Sequence, residues 1–464
     1  MSTPRRFLFA VWDGGGNVPP AFGLIRRLVE RGHRVRVLGD PTLAEEARLA
    51  GADHVPWKDA PHRKSRHPED DVFRDYEIGN PLTMVREYLE SFVGRPAAAW
   101  AGETLAALES WLPDLLVSDL YLPATLIAGE KFGIPTAAYC PNIWMLPTPG
   151  IPPFGLGWAP ARGPLGRLRD RVLRSLSRGA FQRAVPHFNE VRRHYGLPEL
   201  ADFHQQALAA DEIHVLTSPL FDFTSPALPS NVHYCGPILD DPSWCEPWRG
   251  PWSSGDPRPL VLVAFSSTYQ KQAATLRRIV DALSSLPVRA VVTLGPALDP
   301  GAVPGSANVV VVRSASHQAL LSEASLLVTH CGHGTTMRGL VAGVPLVCVP
   351  MGRDQNDTAA RVVHRGAGER LPPGASVTRM RRTIQRVLER PSYRLSARSL
   401  GEAISSRQGC VDVVASLEHL ASRGNSRPAS SDRSLHAASA SAPSTSGTTL
   451  VNPELGHTGP SLAK

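Results

Sequence analysis

The sequence predicts an α/β protein built from two doubly wound parallel sheets that face each other across a cleft. Three observations predict this class. Short apolar runs alternate with helical patterns in the first half of the chain, the alternation restarts after residue 259, and a stretch rich in Pro, Gly, Trp and Asp separates the halves. A length of 464 residues also fits two domains better than one core.

The elements of the first half follow a simple order. The apolar run 7–12 predicts a strand, the Gly-rich turn 14–17 follows it, and Pro19 opens a helix with apolar residues at helical spacing. A second apolar strand at 115–117 directly precedes Asp119. This alternation is typical of a parallel sheet covered by helices on both faces.

Composition and pattern together divide the chain into five parts. We expect an N-terminal domain at 1–235, an interdomain linker at 236–259 and a C-terminal domain at 260–390, followed by a helical region at 391–420. From 421 to 464 Ser, Ala, Thr, Gly and Pro dominate. Such a segment buries too little apolar surface to order itself, so we predict a disordered tail.

Charge and hydropathy exclude several classes of function. The formal net charge is +7, but no Lys/Arg run is interleaved with aromatic residues, which argues against nucleic-acid binding. No apolar run reaches the roughly 18 residues that a membrane-spanning helix needs. We also identify no basic amphipathic helix that would indicate contact with a membrane surface.

The cysteines and the N-terminus indicate a reduced compartment. Six cysteines are scattered along the chain and form no CxxC pair. The first residues lead straight into a strand-like run, without the apolar region and cleavage site of a signal peptide. We therefore expect a cytoplasmic protein.

The strongest local signal is a Gly-rich turn at 329–336, which follows a predicted strand and opens a helix. Gly332 and Gly334 allow backbone amides to approach a ligand closely, and the start of a helix favours an anion. Thr335 adds a hydroxyl donor, and His330 is able to donate to a phosphate oxygen. The turn therefore predicts a diphosphate site.

Two other interpretations of this turn remain open. One is a Gly-rich turn with a capping Thr and no ligand. The other is a metal site formed by His330, Cys331 and His333, but no second ligand cluster has the spacing of a metal site.

The segment from His317 to Gln355 resembles the donor-binding signature of family 1 glycosyltransferases, including the macrolide-type bacterial members. The matching pieces are His330-Cys331-Gly332, Thr335, Gly343-Val344-Pro345, Pro350 and Asp354-Gln355. The resemblance implies the GT-B fold, in which two Rossmann-like domains face across a cleft. It assigns acceptor binding to the N-terminal domain and nucleotide-sugar binding to the C-terminal domain.

The resemblance also assigns roles to individual residues. His330, Thr335 and Ser267 would touch the diphosphate, with Gly332 and Gly334 in the same turn. Asp354 and Gln355 would hydrogen-bond sugar hydroxyls, although the same pair also fits a cap at the start of a helix.

The chain departs from the family pattern at the nucleoside. Ser314 stands where many members stack the base on Trp, and Ser316-His317 stands where Pro-Gln is common. We still count His317 among the substrate-binding residues. Arg338 replaces a Glu that usually grips the ribose, so the choice between uracil and thymine stays open. Arg338 would salt-bridge to phosphate or be exposed.

The chain contains no Asp-x-Asp triplet. This argues against a metal-chelating glycosyltransferase of the other common fold. We predict no metal site and no cofactor beyond the nucleotide-sugar co-substrate, with a helix terminus and His330 stabilising the leaving diphosphate.

A second departure concerns the general base. Similar enzymes place a His in the turn after the first strand, and Asn17 occupies that position, whereas the partner carboxylate matches Asp119. Three interpretations are open. Asp119 is the base and Asn17 positions the acceptor, or the acceptor is an amine or acidic phenol that needs little help from a base. In the third, the protein binds the sugar nucleotide but turns it over poorly. We expect Asp13, near the same turn, to face water.

These observations predict an inverting hexosyltransferase that moves a sugar from a UDP- or dTDP-sugar to a small apolar acceptor, such as a natural product, phenol, amine or lipid. A non-catalytic sugar-nucleotide-binding helper and a sugar-nucleotide epimerase on the same fold are the alternatives. We expect loops of the N-terminal domain to line the acceptor pocket, with candidate residues Trp57, Phe73, Tyr76, Tyr88, Phe92, Trp144 and Met145.

Overall fold

The computed structural model describes residues 3–78, 81–240, 248–253 and 255–423. These residues form two α/β halves, each with one parallel sheet, as the sequence predicts. Part of the predicted linker, 241–247 and 254, and the predicted tail from 424 onward lie outside the described residues.

The N-terminal sheet has seven strands in the order β3-β2-β1-β4-β5-β6-β7. They are β1 Arg6–Ala10, β2 Arg34–Gly39, β3 Asp53–Pro56, β4 Leu115–Asp119, β5 Thr136–Cys140, β6 Glu212–Val215 and β7 Val232–Tyr234. The helices of this half are α1 Val18–Glu30, α2 Ala44–Leu49, α3 Pro81–Glu87, α4 Ala97–Trp111, α5 Thr125–Phe132, α6 Gly163–Phe181, α7 Val185–His194 and α8 Phe203–Ala207, with a π-helical segment at Tyr88–Gly94.

The C-terminal sheet has six strands in the order β10-β9-β8-β11-β12-β13. They are β8 Leu260–Ala264, β9 Arg289–Thr293, β10 Val309–Val312, β11 Ala324–Thr329, β12 Leu346–Cys348 and β13 Gly368–Arg370. The helices are α9 Ala273–Ser284, α10 His317–Glu323, α11 His333–Val341, α12 Gln355–His364, α13 Val377–Glu389, α14 Pro391–Ser405 and α15 Val413–Arg423. Short 3₁₀ turns lie at Pro41–Leu43, Pro68–Asp70, Asp75–Glu77, Gln182–Ala184 and Pro300–Ala302.

The central strands of both sheets are buried on both faces, which explains their continuous apolar runs. β4 and β8 are buried along their whole length. Parallel strands covered on two sides lose the apolar–polar alternation that a half-exposed sheet would show. None of the described helices is long and apolar enough to cross a membrane.

The strand order reverses beside β1 in the first sheet and beside β8 in the second. Ligands of open α/β sheets bind at such points, at the carboxyl ends of the strands. The turns after β1, β4, β8 and β11 are therefore brought to one place, and they carry most of the predicted site residues.

The C-terminal helices divide between the two halves. Ala397 and Leu400 of α14 share a core with Leu340 of α11, in the second half. The helix α15 instead packs on the first sheet, where Leu417 lies in one core with Phe7. It ends at Arg423, so residues 421–423 are helical rather than part of the predicted tail.

The halves are joined below the cleft by buried polar contacts. Arg361 of α12 pairs with Asp222 at 2.6 Å, and both side chains are almost fully buried. His333 of α11 contacts the Thr217 hydroxyl at 2.9 Å. A buried ion pair fixes geometry more than it adds stability, because both charges lose their hydration.

Candidate active site

A cavity of about 420 Å³ lies between the two sheets. It brings together nine of the ten predicted site residues. They are Asn17, Ser267, His317, His330, Gly332, Gly334, Thr335, Asp354 and Gln355. The tenth, Asp119, is fully buried behind the cavity wall.

The turn after β11 has the features of an anion site. Cys331 has a φ of 68°, and Gly332 caps α11, whose first turn carries no acidic residue. A Cβ at Gly332 would lie 2.5 Å from the Nε2 atom of His330, so only glycine fits beside that ring. The first amides of a helix have no intrahelical acceptor, and here they belong to a turn that lines the cavity.

His330 is held in its neutral form. Burial, with smaller contributions from the nearby Arg353 and His317, lowers its pKa to about 4. The ring packs against Phe265, with centroids 5.7 Å apart. A neutral imidazole carries one N–H, for which the Ala264 backbone also competes, so His330 is suited to donate to an anion in the tautomer that places this N–H on the cavity side.

The predicted sugar-binding pair Asp354-Gln355 lies at the start of α12. The Gln355 Oε1 atom accepts hydrogen bonds from the backbone N–H groups of Met351 at 2.7 Å and Gly352 at 3.1 Å. Its Nε2 atom donates to Gln270 Oε1 at 2.9 Å. Gln355 therefore braces its own loop, and its predicted contact with a sugar stays a prediction.

Asp354 is joined to the first half of the molecule. The Asn142 Nδ2 atom donates to Asp354 Oδ2 at 3.2 Å and to the Tyr121 hydroxyl at 2.9 Å. Burial raises the pKa of Asp354. The carboxyl thus borders both walls of the cavity, although its predicted sugar contact is likewise untested.

Arg353 is a cavity residue that sequence reasoning missed. Its Nε and Nη2 atoms donate to Asp75 at 2.7 and 2.8 Å, and its Nη1 atom donates to Thr268 Oγ1 at 3.0 Å. Asp75 lies 278 residues away in the chain. The pair joins the two walls beside Ser267 and His330, and it places a fixed cation near the predicted diphosphate site.

Asp13 does not face water as expected. It is buried and accepts a hydrogen bond from the Thr42 hydroxyl at 2.8 Å. Arg63 and Arg66 approach its carboxyl oxygens to 3.6 and 3.5 Å. The Gly15 N–H also donates to Asp13 Oδ1 at 3.2 Å. Asp13 therefore connects the turn after β1 to the two arginines.

Asn17 stands between Asp119 and the cavity. Its Nδ2 atom donates to Asp119 Oδ2 at 2.8 Å and to the Trp12 carbonyl at 2.9 Å, while its Oδ1 atom accepts from the Gly14 N–H at 3.1 Å. Both N–H groups of the amide are in use, and a carboxylate only accepts. The orientation of the amide is therefore fixed.

Asp119 lies in an apolar environment. Burial raises its pKa to about 7, against the effect of the Tyr121 N–H, which donates at 3.0 Å, and of Asn17. Tyr139 and Trp12 lie near the carboxyl without reaching hydrogen-bonding geometry. Asp119 has no exposed surface and is not among the residues that line the cavity, and its predicted role as the base stays a prediction.

The N-terminal half supplies a mainly apolar wall to the cavity. Of the candidate pocket residues, Phe73, Tyr88 and Met145 line it. Trp57, Phe92 and Trp144 belong to the core, and Tyr76 packs on Tyr269 with ring centroids 5.1 Å apart. Further lining residues, which the sequence did not single out, are Val72, Met84, Val85, Leu89, Phe154, Phe181 and Phe203.

The residues that depart from the family pattern at the predicted nucleoside site, Ser314 and Arg338, lie at the edge of this cavity. Ser314 borders a second cavity of about 530 Å³, together with Arg313 and the loop 65–67 of the first half. Arg338 lines the main cavity and donates to the backbone carbonyl of Asp240. Among the described residues, no group of His, Cys, Asp or Glu side chains is arranged to hold a metal ion.

Residues 277–420 match the C-terminal domain of proteins like the erythromycin biosynthesis protein CIII. The chain is 31% identical to the 4'-demethylrebeccamycin synthase of Lentzea aerocolonigenes over 423 residues. This alignment covers 89% of this chain and 99% of the relative. The chain belongs to the macrolide-type glycosyltransferases of family 1.

Other similarities agree with this membership. The glycosyltransferase is 28% identical to the demethyllactenocin mycarosyltransferase of Streptomyces fradiae, over 82% of this chain and 78% of the relative. The calicheamicin glycosyltransferase CalG4 superimposes with a TM-score of 0.69 at 22% identity, over 91% of this chain and 99% of that one. The glycosyltransferase VinC, solved in complex with dTDP, superimposes with a TM-score of 0.64 at 19% identity, over 90% of this chain and 100% of that one. The fold of the enzyme is GT-B.

Proposed function

We propose that this glycosyltransferase transfers a sugar, with inversion at the anomeric carbon, from a UDP- or dTDP-sugar to an aromatic natural product that offers an N–H or a phenolic O–H. The observation that carries the proposal is a single cavity with the start of a helix on one wall, free of acidic residues, and an apolar surface on the other. Relatives named for rebeccamycin and lactenocin synthesis support a natural-product acceptor, and a neighbour solved with dTDP supports a nucleotide-sugar donor.

On the donor side, the charge of the leaving diphosphate is balanced by the protein itself. The first amides of α11, the Thr335 hydroxyl and the neutral His330 ring donate hydrogen bonds to phosphate oxygens, and Ser267 joins them from the β8 turn. Arg353 supplies a full positive charge from the same side. Fixed donors of this kind stabilise charge that develops in the transition state. We therefore propose transfer without a metal ion.

On the acceptor side, Asn17 replaces the usual base. Its amide is oriented by Asp119 so that the Oδ1 atom keeps a free lone pair and accepts a hydrogen bond from the acceptor's N–H or O–H. Asn17 holds the acceptor in place but does not take its proton. The acceptor atom bonds to the anomeric carbon as the bond to the diphosphate oxygen breaks, and its proton is lost to phosphate or water.

An aromatic amine or a phenol fits this arrangement better than an aliphatic alcohol does. A phenol has an acidic proton and an aromatic amine has a nucleophilic lone pair, so each needs less help from a base. The apolar wall around Phe73, Tyr88 and Met145 suits a flat aromatic acceptor. We also propose a cytoplasmic location, in accord with the five described cysteines, which are all free thiols.

The test is a nucleotide-release assay on the purified enzyme. UDP- and dTDP-sugars are crossed with a phenol, an aromatic amine and an aliphatic alcohol of similar size. We expect release that depends on the acceptor and is fastest with the phenol or the aromatic amine. Release without an acceptor, or a preference for the alcohol, would overturn the proposal.

Two variants test the roles of the central pair. Asn17→His restores the family's base beside Asp119, and we expect it to raise transfer to the alcohol by about tenfold or more. Asp119→Asn keeps an acceptor oxygen for Asn17, so we expect transfer to the phenol to fall by less than about tenfold. A loss of about 100-fold, the scale of a missing general base, would instead make Asp119 the base.

A further inference from the structure

The helix α6 carries an exposed apolar stripe. Leu165, Leu168, Val172 and Leu176 recur at intervals of three and four residues, so they lie on one face. Their exposed fractions are 82, 53, 50 and 65%. Asp170 is the only residue of this 19-residue helix that is buried. An apolar row of this length, left in water on one helix, indicates a binding surface.

The same helix is strongly basic. It contains five arginines against one acidic residue, Asp170, which is paired with Arg169. Arg178 pairs with Asp202. Arg167, Arg171 and Arg174 form no ion pair with any described residue, and at 100° per residue they lie on one side of the stripe, with Arg171 about 60° and the other two about 100–120° around the helix from Leu168.

An apolar stripe with a basic flank is the form of helices that lie in the interface of a membrane. The apolar side chains enter the region between headgroups and acyl chains, and the arginines extend to anionic headgroups. We propose that α6 docks the enzyme on an anionic lipid surface. The sequence analysis missed this helix and wrongly found no basic amphipathic helix.

The charge pattern argues against a second copy of the chain as the occupant of this face. Pairing two α6 helices through their stripes would bring Arg171 of each copy to the edge of the contact, which is unfavourable without an anion beside it. The whole chain also has a formal net charge of +7, which adds attraction to an anionic surface. An anionic bilayer supplies both the apolar phase and the opposite charge.

The position of α6 connects docking to the acceptor site. Ser177 and Phe181, at the end of the helix, line the active-site cavity. Phe181 also packs on Phe203, another cavity residue, with centroids 5.1 Å apart. An apolar acceptor concentrates in bilayers, so docking at α6 would hold the cavity wall close to that supply. This last link rests on the proposed function, whereas the docking itself does not.

The experiment is co-sedimentation of the full-length enzyme with vesicles, without donor or acceptor. Vesicles of pure phosphatidylcholine are compared with vesicles that contain phosphatidylglycerol. We expect binding to the anionic vesicles that weakens with salt. The double variant Leu165→Ser/Leu176→Ser is expected to lower the partition coefficient by about tenfold or more. The matched control is Leu112→Ser/Leu395→Ser, which changes leucines of 62 and 65% exposure elsewhere.

A second pair of variants tests the charges. Arg167→Gln/Arg171→Gln is expected to weaken binding to the anionic vesicles about tenfold. Arg381→Gln/Arg382→Gln, which removes two exposed arginines from α13, is expected to leave binding within about twofold. All four proteins should melt within a few degrees of the wild type, since every altered side chain is exposed.

Four results would overturn the proposal. The first is no binding to anionic vesicles, and the second is equal binding to neutral and anionic vesicles. The third is unchanged vesicle binding by the α6 leucine variant. The fourth is a dimer of the wild type in light scattering that becomes a monomer in the same variant. The last would make a second copy the occupant. Failure of sugar transfer in the release assay would leave vesicle binding unaffected, so the two proposals fail separately.

Discussion

Replacement of Arg353 tests whether a protein cation takes the place of a metal ion at the diphosphate. Three of its five N–H groups are bound, two of the bonds going to Asp75 and one to Thr268, and two N–H groups remain for a ligand. A hydrogen bond to a charged group contributes about 1.5–3 kcal/mol. Arg353→Ala should therefore weaken nucleoside diphosphate binding by about 10- to 150-fold.

Calorimetry with UDP and with UMP separates this role from a structural one. UMP lacks the second phosphate, so we expect its affinity to change far less than that of UDP. Arg353→Ala also leaves the buried Asp75 carboxyl without its partner, at a cost of about 1–3 kcal/mol in stability. The double variant Asp75→Asn/Arg353→Ala removes that charge and should recover stability but not UDP affinity.

The reasoning is refuted by either of two results. An equal loss of UDP and UMP affinity would mean that Arg353 only holds the walls of the cavity together. An unchanged affinity for UDP would mean that the guanidinium does not reach the diphosphate. Arg353→Lys is a useful intermediate, since it keeps the charge but loses the two-pronged contact with Asp75.

Three further predictions concern other parts of the structure. Gly332→Ala should weaken UDP binding about tenfold, because its Cβ would lie 2.5 Å from a histidine Nε2; unchanged affinity in calorimetry contradicts this. The pKa of Asp119 is raised to about 7 in the folded protein, against about 4 in the unfolded chain, so it contributes stability that is present below about pH 4 and is lost as the pH rises through 7. The melting temperature of the wild type, relative to that of Asp119→Asn, should therefore be higher at pH 5 than at pH 8. A difference between the two melting temperatures that does not change with pH would contradict this prediction. Arg361→Met should cost about 3–5 kcal/mol in urea unfolding, because it strands the buried Asp222, whereas Arg193→Met, in an exposed ion pair, should cost less than about 1.

The parts of the site that the sequence predicted are local motifs. The turn 330–335 and Ser267 directly follow apolar strands, and in a parallel sheet the ends of such strands meet at one edge. A motif and its neighbouring strand therefore suffice to place these residues together. Asn17 and Asp119 were identified through the family resemblance, one at the start of α1 and the other at the end of β4.

Contacts between distant segments could not be found in this way. Asp75 and Arg353 lie in loops of different halves, and no periodicity connects them. The burial of Asp119 behind Asn17 depends on side-chain packing rather than on spacing. For α6 the signal was present, since Leu165 and Leu176 lie on one face, but the sequence analysis did not single it out.

The last helix, α15, packs on the N-terminal sheet although it follows the C-terminal domain in the chain, and this has a consequence for engineering. Leu417 and Leu420 cover the same core as Phe7, and Glu418 binds His33 at 2.8 Å. A chimera that joins two enzymes only at the linker would pair this helix with a foreign sheet. A hybrid with a new donor specificity should therefore exchange an internal cassette, from about β8 to α14, and keep the last helix of the acceptor-binding parent.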